Sequence, residues 1–350
     1  MLAIAFVAGL SPVVVEGPRY SVAREPAGGI GSPEVVVLRD RSAGVEAALA
    51  PSEGGELTSL KMRFRGAWIE LIYRAREYGT APGWRGKAPF LWPAVGGQYP
   101  LGTIPESTCA DGSYLAGGRS YPMPCHGFAK SLPWDVIAVS AGQDGASATI
   151  ELRDSERTRA MYPFGFRLRA VYALADGRLT ITYSVSASGV NTSPMPFSIG
   201  NHVAFRLPFL EGTDPKEMLF ETPSTMELRR DSHGFITTEA RPRSFATPRR
   251  LGDFDATVAV ALAGYKGVAE AHLADPRGLA VSISHWGSSR LPEPLVQFNV
   301  YGGPERGFLC PEPWFGLQNS LNRGVGLVTL APGASWEWKI EIQPERTPVN

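Results

Sequence analysis

The sequence predicts an all-β protein built as a sandwich or barrel, and three observations carry that reading. Apolar and polar residues alternate with period two in short runs, as in LTSLKMRF over Leu57–Phe64. Such runs recur about every ten to fifteen residues, with turn signals such as Asp176-Gly177 between them. The 350 residues include 39 Gly and 30 Pro, which suits many turns, and no stretch reads as a long capped amphipathic helix.

Taken in order, residues 1–33 read as an N-terminal extension rich in Gly and Pro. Its apolar run Leu2–Leu10 falls short of the ~20 residues that span a bilayer. The run is similar to a signal-peptide core, but no Lys or Arg precedes it and no clean cleavage site follows. The expected location is therefore cytoplasmic, with a periplasmic or secreted alternative if residues 1–33 hold a signal. The regular pattern begins at Val35. Glu34–Arg39, Val45–Ala50, Leu57–Phe64 and Trp68–Tyr73 read as short strands. From Arg74 to Met123 the chain is too rich in Gly and Pro for a long regular element, and loops of that length usually serve function. Strand patterns resume at Trp134 (WDVIAVS) and continue to WEWKIEIQ near the end. A short helix is expected near Arg74–Tyr78 or Leu317–Asn322. With no repeat and no linker, residues 34–350 are expected to form one domain.

The formal net charge is zero and the Lys and Arg residues are scattered, which argues against nucleic acid and anionic membranes as partners. Cys109, Cys125 and Cys310 make an odd, low count that is no disulfide framework. Free, mostly buried thiols are favoured over a Cys109–Cys125 pair.

Candidates for chemistry are few. Of the five histidines, His126 lies in PCHGFAK, where Gly127 allows close approach. His202 lies in IGNHVAF, where Asn201 and His202 interrupt an apolar run, and buried polar groups left unbonded cost ~1–3 kcal/mol. Glu312 stands between two prolines in LCPEPWFG, which stiffens its presentation. His233 reads as a surface turn, and His272 and His285 as strand residues that could simply face solvent. Cys125 beside His126 and Cys310 near Glu312 raise a metal reading. No CxxC or HxxxH spacing supports it, so zinc is discounted and no metal is expected.

Together, PCHGFAK, IGNHVAF and LCPEPWFG occur in the order and rough spacing of the aldose 1-epimerase (galactose mutarotase-like) family, which the chain resembles over about residues 34–345. GGELTSLKMRFRGAWIELIY, WRGKAPFLWPAVG, YPFGFRLRAVYAL and LAPGASWEWKIEI support the resemblance. It implies a large antiparallel β-sandwich, a sugar site on a concave face and no cofactor. It further implies Glu312 as the base for the C1 hydroxyl, His202 as an imidazolium donor to the ring oxygen, and His126 as a second donor. As sugar contacts it points to Arg85, Asn201, Asp253 or Asp255, Gln297 and Trp314, with Trp92 and Trp286 as further stacking faces. The expected partner is a small free sugar, bound by a monomer or homodimer. The long loop departs from the galactose mutarotases in carrying RGKAP, and HGFAK is closer to the hexose-6-phosphate branch. A hexose-6-phosphate mutarotase is the alternative if Arg85 and Lys87 face the pocket, and a non-catalytic carbohydrate-binding protein on the same sandwich is the other.

Overall fold

A computed structural model describes residues 14–27, 32–74, 78, 84–288 and 295–348. Three antiparallel sheets dominate. A six-stranded meander runs in chain order from Val14–Glu16 to Ala67–Glu70. A nine-stranded sheet holds Phe166–Ala175, Arg178–Ala187, Ser335–Arg346 and Leu279–Gly287 side by side at its centre. An eight-stranded sheet is built around Ala256–Ala263, Val296–Gly303 and Phe308–Phe315.

The nine-stranded sheet shows the alternation expected from sequence. Phe166, Leu168, Ala170, Tyr172 and Leu174 are buried and the residues between them are not. Such a strand covers one face and leaves the other wet. The eight-stranded sheet differs, because all eight residues of Phe308–Phe315 are buried. One face, with Leu309, Phe315, Phe298 and Val300, joins the main core. The other carries a smaller cluster that includes Leu228, Ala261, Ala263 and Trp314.

Two readings change. Val14–Glu16 and Tyr20–Pro26, inside the stretch read as an extension, are strands of the first sheet, and Tyr20 is part of the core. Their alternation is too short to stand out among the flanking Gly and Pro. The run Leu2–Leu10 lies outside the described residues. A single helical turn covers Ser320–Arg323, the later part of one region where a helix was expected; residues 75–77 of the other lie outside the described residues. Cys109 and Cys125 are joined in a disulfide, because the hairpin Gly112–Ala116 and Arg119–Met123 folds the chain back between them. Cys310 is free and buried, as expected.

Candidate active site

The site grows from a broken strand pairing. Ile199 and Gly200 pair with Phe315 and Trp314, and Phe205 and Arg206 pair with Leu309 and Phe308. The two stretches keep one register, so His202 lies directly across from Glu312. Between them the ladder is interrupted, because Pro311 and Pro313 have no N–H to give. The freed backbone turns instead to the segment on its other side. His202 N–H donates to Pro89 O (3.0 Å) and Ala204 N–H to Lys87 O (2.9 Å). Residues opposite one another in an antiparallel pair share a face. The His202 Nε2 is accordingly 3.4 Å from Glu312 Oε1.

Neighbouring residues fix the carboxyl. Trp314, two positions on and on the same face, donates its indole N–H to Glu312 Oε2 at 3.1 Å. Gly200 makes room for that indole, since a Cβ there would lie 2.7 Å from its Cδ1. Asn299, paired with Glu312 on the other side, also hydrogen-bonds it. Arg230 reaches the same face and adds its charge, while its guanidinium donates to Gly234 O and Ala259 O, both at 2.7 Å.

His126 completes the cluster from the long loop. Its ring lies 5.8 Å from that of His202 and 6.0 Å from Trp314. It sits at φ 64°, with its N–H on Gly96 O and its Nδ1 accepting from Gly96 N–H at 3.0 Å. A neutral imidazole with Nδ1 accepting carries its proton on Nε2, so His126 is a donor. Gly127 follows at φ 72°, pressed against the Trp92 carbonyl where a Cβ would collide.

Burial governs the charges. It pushes the Glu312 carboxyl well above the usual carboxylate range, an effect that the Trp314 and Asn299 hydrogen bonds and Arg230 oppose. It pulls His202 down to about 4. His126 also falls well below its ordinary value, through burial and then the nearby His202 and Lys130. The imidazolium expected at His202 is thus not the resting form. Burial therefore favours the neutral form of both partners, with a proton on Glu312 rather than an imidazolium at His202.

Several expected contacts fall elsewhere. Asn201 alternates with His202 and so points to the opposite face, where its amide donates to Ala88 O and Tyr183 OH. Asp253 and Asp255 line a separate surface cavity of about 410 Å³ with Lys216 and Arg306, and Asp255 caps Thr257. Trp92 is core, packed on Phe166 and Tyr162. Trp286 sits on the outer face of the nine-stranded sheet, beside Lys339. Lys87 is buried in an ion pair with Glu56 (2.9 Å) under the Tyr78 ring, and the charge of Arg85 also acts on Glu56. Gln297 does join the site face as cross-strand neighbour of Trp314, fully buried, with its amide on Gly316 O. Trp314 is buried too, so it holds the carboxyl and offers no open stacking face.

Trp84 was missed. It is 38% exposed, lies 4.8 Å from the His202 ring and packs on Phe308 and Tyr73. An exposed Trp beside buried polar groups is an aromatic face of the kind that sugars use. Asn299 and Arg230 were also missed. Asn299 is readable only as a polar residue in LVQFNVYG, and Arg230 carries no sequence signal.

Comparison with known proteins decides the family: the aldose 1-epimerase family model matches residues 35–343. The chain belongs to the aldose 1-epimerase family. Among curated proteins it is 31% identical over 93 residues to a Salmonella typhimurium protein provisionally named glucose-6-phosphate 1-epimerase. That stretch is 27% of this chain, which spans about a quarter (25%) of the relative. A solved Synechocystis structure superposes with TM-score 0.71 at 25% identity, covering 91% of this chain and 97% of that one. The galactose 1-epimerase of Lactobacillus acidophilus shares the fold, with TM-score 0.68 at 14% identity and coverage of 94% and 99%.

Proposed function

We propose that this aldose 1-epimerase interconverts the α and β anomers of a free hexose. The observation that carries the proposal is the placement of His202 across from Glu312 at 3.4 Å, and on this reading the pair shares one proton. The two oxygens on the anomeric carbon need one group each. Moving the shared proton to His202 leaves Glu312 as carboxylate. Glu312 then takes the C1 hydroxyl proton while His202 gives its proton to the ring oxygen, and the C1–ring oxygen bond breaks. After rotation about C1–C2 the ring oxygen attacks the other face of the aldehyde. His202 recovers its proton and Glu312 returns its own to the new C1 hydroxyl. Each positioned acid or base supplies ~10²–10⁴-fold. His126, with its Nε2–H, is a second donor at the ring oxygen, and Trp84 is the stacking face.

A hexose 6-phosphate is the second reading, favoured by the name of the Salmonella relative. The burial of Lys87 against Glu56 counts against it. The disulfide supports an oxidising compartment, the periplasmic or secreted alternative. Polarimetry of freshly dissolved α-D-glucose and α-D-galactose, with anomer exchange measured for hexose 6-phosphates, tests the proposal. Acceleration with the free sugars supports it. Acceleration confined to the phosphates, or with no sugar, overturns it.

A further inference from the structure

Cys109, Cys125 and His126 bring two sulfurs and an imidazole nitrogen within 4.8 Å of one another. We propose that, once the disulfide is reduced, these three residues bind a soft divalent metal ion such as zinc. Two thiolates and an imidazole are a zinc-type donor set, and a fourth position stays open to water. Sequence spacing hid the set, because Cys109 is sixteen residues from Cys125 and meets it only through the returning hairpin.

The placement does not depend on the sulfur–sulfur bond alone. Gly97 N–H donates to Thr108 O (2.9 Å), and the backbone of His126 bonds to Gly96 O (3.0 Å). Both sides of the cluster are thus tied to the same Gly-Gly pair. Tyr99 OH donates to Ser107 O (2.8 Å) and accepts from Ala110 N–H (2.7 Å) on either side of Cys109, and Asp111 accepts from Cys125 N–H at 2.9 Å. Cys109 is exposed, which gives a reductant access, while Cys125 is buried and His126 half-buried.

The chemistry balances with a dithiol reductant. The disulfide takes two electrons and two protons from the dithiol, giving two cysteine thiols and the oxidised, disulfide form of the reductant. The metal then displaces two thiol protons and accepts a lone pair from the His126 imidazole, supplied either by Nδ1 on giving up the Gly96 N–H hydrogen bond or by Nε2 once its proton moves to Nδ1. In the oxidised protein no thiolate exists and the site is closed. Resting on the mutarotase reading, the metal also withdraws His126 from the sugar, so reduced protein is inhibited by metal and oxidised protein is not.

Cadmium is a suitable probe, because its thiolate complexes absorb in the ultraviolet. Reduced protein titrated with cadmium alone is expected to develop the charge-transfer band, saturating at one equivalent. Oxidised protein should show none, and neither should Cys109→Ser or Cys125→Ser of unchanged circular dichroism. His126→Asn should weaken binding by roughly tenfold or more. With sugar present, saturating cadmium should slow mutarotation by the reduced protein only, and a chelator should restore it. The absence of a one-equivalent band from reduced protein overturns the proposal, as does a band whose affinity His126→Asn leaves unchanged. The band is read without sugar, so it decides the site even if the protein turns over no sugar.

Discussion

The two faces of the eight-stranded sheet each hold a buried histidine, and only one has a partner for proton transfer. On the core face, His285 from the adjoining sheet is ringed by Phe298, Phe315 and Trp338 at 4.9, 5.4 and 6.0 Å, and its Nδ1 accepts from the Trp338 indole. Burial holds it down to about 3. On the other face, His202 is held down to about 4 by the same cause, yet a carboxyl lies across the strand gap and an exposed indole beside it. Burial alone therefore gives an inert neutral imidazole. On the proposed reading, a carboxyl in register turns a similar imidazole into half of a proton-sharing pair.

The largest expected effect comes from removing that carboxyl. Glu312→Gln should slow polarimetric mutarotation by ~10²–10⁴-fold, with a melting curve close to the parent's because the amide fills the same space. Trp314→Phe removes one hydrogen bond to the carboxylate form, worth ~1.5–3 kcal/mol. Its kcat should fall by about 10–100-fold with KM little changed, as read from initial rates across sugar concentration. Trp84→Ala should do the reverse, raising KM by roughly tenfold if the indole contributes ~1–1.5 kcal/mol of stacking, with kcat nearly intact. The smallest effect on rate is expected at His285→Gln, within about twofold by the same assay if only direct contact with the reacting atoms matters.

That last variant separates the two faces through pH. The unfolded chain takes up a proton at each histidine near pH ~6.5, whereas folded His202 and His285 do so only near 4 and 3. The unfolded state thus binds more protons between these values. Their stability contribution is full above about 6.5 and is lost as pH falls through that window. Denaturant unfolding from pH 7 to pH 4 should show this loss, with His285→Gln reducing its slope by about one proton. Mutarotation should also fall as pH drops toward 4, where His202 takes a second proton onto the pair, and His285→Gln should leave that limb in place.

The strand framework was legible because one-sided strands write their burial as alternation, as Phe166–Ala175 does. The His202 segment was legible as a polar pair in an apolar run, the Glu312 segment as a carboxylate between prolines, and the family resemblance joined them to the His126 segment; the structure brings the three side chains together. What failed was facing. Asn201 and His202 look alike in sequence, but adjacent strand residues point apart, and only the register with Glu312 tells which side is the site. Asp253 and Asp255 were placed by resemblance to a strand entrance whose side chains here serve a different cavity. Trp84 lies in a stretch with no period, so its exposure and its contact with His202 are tertiary facts. The disulfide depends on a hairpin that closes a loop, which no cysteine count reveals.

The central claim is that His202 and Glu312 act as one unit across the gap in the strand pairing. A double-variant cycle with His202→Asn, Glu312→Gln and the two combined, read by polarimetry on the free sugar, tests it most directly. Residues that work as a unit lose their joint contribution when either is removed. The double variant should therefore be no slower than the slower single variant, within about threefold. Losses that multiply, each substitution slowing the other's variant as much as the parent, would show two independent groups and contradict the shared-proton pair.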